Sequence, residues 1–223
     1  MFFDTIQNWI NAGKPLNSLI CGDCMEGLKE IPDKYFDLAL TDPPYNLGRK
    51  YNYYNDNRPD YKQWCLEWFN GLNRISKSIV MSVGVVNLPM WYEINPPQWL
   101  WCWFKANNMG SSSKITKIGI WEPFLIYNTK IKISVDGYYL PIVPQKDANF
   151  HNCPKPLKLI RRLLLDFGRR NDKIIDPFTG SGTTLIACER EGFQYIGFEL
   201  DKDYFQAAKQ RIINNRNQLK LGI

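Results

Sequence analysis

The chain has 223 residues, of which 44% are hydrophobic, enough to build one α/β domain with a sizeable core and too apolar for a disordered chain. Its 28 basic and 22 acidic side chains give a net charge of +6, a balance that excludes neither a nucleic-acid partner nor a neutral one. No stretch approaches the ~20 apolar residues of a membrane span, and Met1-Phe2-Phe3-Asp4 lacks the basic start and apolar run of a secretory signal, so a cytoplasmic protein with no membrane partner is expected.

Apolar runs predict strands near 19–22, 36–41, 78–83, 99–105, 118–127, 173–176 and 195–199, and helical periodicity predicts helices near 24–30, 60–75, 155–167, 182–191 and 202–215. This alternation predicts a doubly wound, mostly parallel sheet of seven strands, the fifth pairing antiparallel with the fourth, within a single catalytic domain 1–223. Cys21 and Cys24 form one C-x-x-C at the first strand end, but no second pair exists and His151 is the only histidine, so no metal site is expected.

The second strand ends in Asp42-Pro43-Pro44-Tyr45. The prolines fix φ and remove two N–H donors, which stops the strand in a stiff turn and leaves a carboxylate beside a carbonyl that a ladder cannot absorb. Such a pair accepts both hydrogens of an exocyclic amino group, and the Tyr45 ring offers a face on which a planar base can stack. Residues 46–59 come next, with cations and aromatics among turn formers, and are expected to form a mobile loop facing nucleic acid. The alternation Trp99, Trp101, Trp103 predicts one buried face of a strand.

Charge is unevenly spread: residues 1–45 carry 3 basic and 7 acidic side chains, residues 46–145 carry 11 and 6, and residues 146–223 carry 14 and 9. Arg49, Lys50, Arg58, Lys114, Lys117, Lys130 and Lys132 are the phosphate-contact candidates, with Tyr51, Tyr53 and Tyr54 as base-stacking candidates in the loop.

Asp176-Pro177-Phe178-Thr179-Gly180-Ser181-Gly182-Thr183-Thr184 lies between a short apolar strand and a helix. Strand, glycine turn and helix is the geometry of a nucleotide-type site, and Glu199, at the end of the next strand, is placed to accept from both hydroxyls of a ribose. Leu185 stands where a dinucleotide fingerprint needs its third glycine, and no Gly-x-x-x-x-Gly-Lys run is present. A ribose-containing ligand without a pyrophosphate fits this pattern.

Together, Asp42-Pro43-Pro44-Tyr45 followed by Asp176-Pro-Phe-Thr-Gly-Ser-Gly-Thr-Thr resembles the amino-group DNA methyltransferases that use S-adenosylmethionine, in the permuted, beta-class order with the catalytic tetrapeptide before the cofactor loop. The resemblance covers nearly the whole chain and implies a Rossmann-like methyltransferase fold. It implies that Asp42, Pro43, Pro44 and Tyr45 are catalytic, and that Asp23 and Cys24 face the cofactor adenine. It also implies that Asp176, Phe178, Gly180, Gly182, Thr183 and Glu199 hold the cofactor, with Lys155 and Pro156 enclosing its methionine end. Trp103-Phe104-Lys105 and Asn107-Asn108-Met109 resemble the sixth strand and its loop. Ile120 to Tyr127 resembles the seventh, with Trp121-Glu122 where the family has His-Glu. His151-Asn152-Cys153-Pro154-Lys155-Pro156 resembles the family's His-Pro-x-x-Lys-Pro, and residues 128–150 fall where a target-recognition segment is inserted, here a short one.

By that resemblance the chain is expected to be a site-specific DNA methyltransferase acting on a flipped base, adenine N6 preferred because an Asp opens the tetrapeptide, with cytosine N4 as the alternative. The same acceptors would serve RNA or a protein amide, and a catalytically silent DNA-binding module is the reading from a different class. A homodimer and a cognate restriction endonuclease are left open as partners.

Overall fold

The computed structural model describes residues 1–49, 54–105, 119–142 and 154–221. In chain order they form β1 (Phe2–Phe3), α1 (Ile6–Asn11), β2 (Ser18–Cys21), α2 (Cys24–Lys29), β3 (Phe36–Thr41), α3 (Tyr61–Ile75), β4 (Ser76–Ser82), α4 (Leu88–Ile94), β5 (Trp99–Phe104), β6 (Trp121–Tyr127), β7 (Gly137–Tyr139), α5 (Leu157–Phe167), β8 (Lys173–Asp176), α6 (Thr183–Glu191), β9 (Gln194–Glu199) and α7 (Lys202–Leu221). A single sheet of order β1-β2-β9-β8-β3-β4-β6-β5-β7 runs through them. All pairs are parallel except those of β6, which is antiparallel to β4 and to β5.

The doubly wound sheet and the antiparallel fifth segment are as the sequence pattern predicts. The sheet has nine strands among the described residues rather than seven, because β1 and β7 add two short edges. Two- and three-residue strands carry too few alternations to register as a period. The short helices α1 and α4 were not predicted either, although Thr5, whose hydroxyl accepts the Asn8 N–H at 3.1 Å, is an ordinary capping signal for α1.

Strand alternation sorts the apolar residues into two layers, one on each face of the sheet. Leu38 and Leu40 of β3, Val80 of β4 and Ile174 of β8 join Leu159, Leu163, Ile186 and Ala208 from α5, α6 and α7. Ala39, Ile79, Met81 and Ile175 instead meet Trp9, Leu28, Trp68, Leu72 and Trp91 from α1 to α4. Trp101 and Trp103 are buried as predicted, whereas Trp99, at the open start of β5, is 59% exposed. Among the described residues no helix is long and apolar enough to cross a membrane and no cluster suits a metal ion.

This topology brings the carboxyl ends of β2, β9, β8, β3 and β4 side by side. Because β6 runs the other way, its amino end, Trp121-Glu122, joins them.

Candidate active site

Two loops meet at the middle of that row. Asp176 ends β8, Asp42 follows β3, and the neighbouring strands are tied at their tips by the Thr41 hydroxyl, which donates to Asp176 Oδ1 at 2.7 Å. Asp176 also accepts the Phe178 N–H at 3.1 Å. Burial pushes its carboxyl up to about 6 despite these donors.

Beyond Asp176 the chain turns through Gly180 (φ 52°) and Gly182 (φ 79°) into α6. A Cβ on Gly182 would sit in the left-handed region and 3.3 Å from the Ala208 Cβ, so the turn needs glycine twice over. From β9, Glu199 accepts the Gly180 N–H on Oε2 at 2.7 Å and the Asp201 N–H on Oε1 at 2.8 Å. Burial pushes its carboxyl up to about 7. The two donors fix the carboxylate while each oxygen keeps a second lone pair for a hydroxyl. Asp23, exposed at the end of β2, caps α2 through the Met25 N–H at 2.9 Å, and Cys24 is buried with its thiol pushed well up by burial.

The remaining cofactor candidates lie elsewhere around this loop. Thr183 is buried, and its hydroxyl accepts from Arg211 Nη1 at 2.8 Å. Phe178 packs against Trp64 and Trp68, at centroid distances of 5.7 and 5.3 Å. Pro156 caps α5, and Lys155 reaches away to Asp42.

Around Asp42 the geometry is a closed polar cluster. The Tyr45 hydroxyl donates to Asp42 Oδ1 at 2.6 Å, touches Ser82 Oγ and lies 3.1 Å from Glu122 Oε1. Lys155 Nζ stands 2.5 Å from Asp42 Oδ2 and 2.9 Å from Glu122 Oε1. Glu122 also accepts from Ser82 Oγ at 2.7 Å and from Lys105 Nζ at 2.8 Å. Burial works to raise the Glu122 carboxyl, but Lys155 and Lys105 outweigh it and hold the group at about 2. Burial opposes the Lys155 charge too, and Asp42 and Glu122 reverse the effect, so the ammonium persists well above its ordinary value. Burial, with Asp42 and Glu122, pushes the Tyr45 phenol well up, which keeps it a donor.

The carbonyls of the tetrapeptide are unequally engaged. Tyr61 donates its hydroxyl to the Pro44 carbonyl at 2.7 Å, and Asn87 Nδ2 donates to the Tyr45 carbonyl at 2.9 Å. Among the described residues none donates to the Pro43 carbonyl. Asp42 and this carbonyl are therefore the acceptor pair at the end of β3.

Residues 120–210 match the sequence model of the N6_N4_Mtase family, described as DNA methylase. The type II methyltransferase M.HpaI of Haemophilus parainfluenzae is 26% identical over 238 residues, covering 89% of this chain and 75% of that protein. M.HinfI of Haemophilus influenzae, also a type II methyltransferase, is 26% identical over 258 residues, covering 91% and 70%. In sequence the chain is thus similar to DNA methyltransferases. The PvuII cytosine-N4-specific DNA methyltransferase shares the fold with a TM-score of 0.73 at 20% identity, over 99% of this chain and 95% of that one. M1.HpyAVI in its complex with SAM gives 0.65 at 22% identity, over 87% and 98%. The family match takes in Glu122, Lys155, the 176–182 loop and Glu199, while Asp42 lies upstream of it.

The nucleic-acid candidates divide sharply. Lys50, Tyr51, Tyr53, Lys114 and Lys117 lie outside the described residues, as do 107–109, 151–153 and 143–150. Arg49 is exposed near the site, its N–H bound to Asp56 Oδ2 at 2.8 Å. Arg58 forks onto Asp60 at 3.0 and 2.7 Å and covers the Trp64 ring at 5.2 Å, so its charge is already paired. Lys130 and Lys132 correct the sequence expectation: both are exposed, but they follow the carboxyl end of β6. Being antiparallel, β6 delivers them to the opposite end of the sheet, ~20 Å of extended chain away from Glu122. The expected recognition segment divides likewise: it leaves β6 at that far end and returns along β5, where the Asp136 carbonyl accepts the Cys102 N–H at 2.9 Å and 137–139 are built into the sheet as β7.

Residues near 46–59 are tied at the stem. Buried Asp56 accepts the N–H groups of Asn46, Leu47 and Arg49 at 2.9, 3.0 and 2.8 Å, and Asn46 exchanges two hydrogen bonds with the Arg58 backbone. Sequence reasoning singled out neither Asp56 nor Ser82 and Arg211, and it gave Lys105 and Glu122 no role. The one local signal was Lys105 and Glu122, each at the end of an apolar strand where a charge has to find a partner.

Proposed function

We propose that this chain transfers a methyl group from S-adenosylmethionine to the exocyclic amino group of a flipped base in DNA, adenine N6 by preference. The observation that carries the reading is the acceptor pair of Asp42 and the Pro43 carbonyl at the tip of β3, hydrogen-bonded through Thr41 to the glycine loop of β8. The cradle fits the cofactor: two left-handed glycines open the backbone, and Glu199, oriented by two N–H groups, offers its lone pairs to a ribose. Asp23 and Cys24 at the tip of β2 would border the adenine.

When bound, S-adenosylmethionine supplies an electrophilic methyl on a sulfonium that leaves as a neutral thioether. An amino nitrogen conjugated to a base is a poor nucleophile, so the protein's task is geometric and electrostatic. Asp42 and the Pro43 carbonyl accept the two N–H bonds, which aims the nitrogen lone pair away from them and favours a tetrahedral nitrogen. The Asp42 carboxylate offsets the positive charge that grows on nitrogen, and it is the first acceptor of the proton that methylation makes acidic. Tyr45 fixes the carboxylate through Oδ1 and presents its ring beside the acceptors.

Adenine is preferred because the tetrapeptide opens with Asp; the fold neighbour specific for cytosine N4 makes N4 transfer the second reading. Labelled methyl transfer to unmethylated genomic DNA, followed by nucleoside mass spectrometry, tests both. N6-methyladenine is the expected product, N4-methylcytosine would reverse the base, and absence of product on DNA with activity on RNA or protein would overturn the assignment.

A further inference from the structure

Lys155 is turned toward the acceptor turn rather than toward the glycine loop. Its ammonium is 2.5 Å from Asp42 Oδ2 and 2.9 Å from Glu122 Oε1, and the side chain is only 11% exposed. Asp42 and Lys155 thus present an acceptor and a donor in contact, side by side, at the tip of β3.

That pair has the complement of one edge of a nucleobase. In adenine the amino group is a donor and the neighbouring ring nitrogen, N1, is an acceptor; in cytosine the amino group and N3 have the same relation. The two base atoms are separated by a single bonded carbon, which is the spacing a donor and acceptor in direct contact can match. Resting on the methyltransfer reading above, we propose that Lys155 is a specificity-determining residue that donates to the ring nitrogen beside the target amino group while Asp42 accepts the amino hydrogen.

The chemistry of exclusion comes from the same pair. Guanine and thymine present a carbonyl oxygen followed by a ring N–H, so each would set its oxygen against the Asp42 carboxylate and its N–H against the Lys155 ammonium. Two reversed contacts reject a base more strongly than one missing contact does. Lys155 has three N–H bonds. Among its contacts are the short ones to Asp42 and Glu122 and a longer one of 3.4 Å to the Tyr45 hydroxyl, which the ring nitrogen would replace. Glu122 has a defined part in this: it holds the ammonium in place as Asp42 turns to the substrate, and it tempers the electron withdrawal a cation exerts on the base.

The test compares duplexes that carry the normal target base with duplexes in which its ring nitrogen is replaced by C–H, 1-deazaadenine or 3-deazacytosine according to the product made on genomic DNA. The wild type is expected to lose about 10- to 100-fold in kcat/KM on the analogue, the size of a hydrogen bond to a charged donor. Lys155→Met is expected to be slower on both duplexes and to distinguish them by less than about threefold, with Lys155→Arg restoring part of the difference. The ratio is taken within each variant, so a reduced folded fraction cancels. Affinity for S-adenosylmethionine, measured by calorimetry, is expected to stay within about threefold of wild type in Lys155→Met. Equal discrimination by wild type and Lys155→Met, or a loss confined to cofactor affinity, overturns the assignment of Lys155. Failure of the wild type to methylate any DNA overturns instead the reading on which it rests.

Discussion

Replacing Glu122 by Gln isolates the charge that organises the site. The amide has the shape of the protonated acid, so at every pH the variant reproduces the state in which Glu122 has lost its charge. In the native chain that carboxyl is held at about 2 against an ordinary 4.5, a difference worth ~3 kcal/mol of stability. An independent figure agrees: removing one partner of a buried ion pair costs ~3–5 kcal/mol, and Glu122 and Lys155 are only 12% and 11% exposed. For a chain of this size that is roughly 6–12 °C in Tm. The sign is set by the lowered value. The contribution is complete above about 4.5 and is lost as pH falls through about 2, so wild type and variant should differ fully at neutral pH and converge in acid. Urea unfolding of both proteins at pH 7, 4.5 and 3 measures this. A difference below ~1 kcal/mol at pH 7, or one that persists undiminished at pH 3, would refute the account of Glu122 as the anion that pairs both lysines.

Other consequences are as direct. Asp42→Ala should lower the rate of methyl transfer by at least ~100-fold while equilibrium dialysis shows cofactor binding retained; loss of binding would place Asp42 in the cofactor site instead. Glu199, pushed up to about 7, binds its proton more tightly when folded, so the stability it lends the ligand-free protein should fall as pH rises from about 4.5 to 7 and then level off. Affinity for S-adenosylmethionine should rise over pH 6 to 8 as the carboxylate ionises, and a flat calorimetric profile would rule out a ribose contact. Gly182→Ala forces a left-handed alanine against Ala208 and should cost ~1–2 kcal/mol, read as a lower Tm with weaker cofactor binding. Arg211→Met removes donors to the Ser181 carbonyl and the Thr183 hydroxyl; it should weaken cofactor binding more than it changes kcat, which steady-state kinetics would separate.

What could be read from the sequence is what local rules encode. Asp-Pro-Pro-Tyr and the glycine turn each lie within one strand end, where proline and glycine geometry writes itself into a short string. The helices and strands that carried enough alternation were placed, and the short β1, β7, α1 and α4 were not. The destination of Lys155 was hidden because the contact spans 113 positions of chain, and nothing within its own segment announces Asp42 as its partner. Lys130 and Lys132 show the complementary failure. Their nearness in sequence to a site strand says nothing about which end of the sheet they reach until the direction of β6 is known.

The Thr41–Asp176 hydrogen bond joins positions 135 apart, yet the strands that carry them are immediate neighbours in the sheet. Everything between them is an excursion that leaves and returns to the same two-strand seam. The distance between the acceptor turn and the glycine loop is thus set by one strand pairing and one hydroxyl, independent of how long the excursion is. Loops within it that carry none of Asp42, Tyr45, Ser82, Glu122 and Lys155 can be lengthened or shortened without moving the acceptor turn relative to the glycine loop. A change of loop length between β6 and β7 should therefore leave the Thr41–Asp176 seam in place.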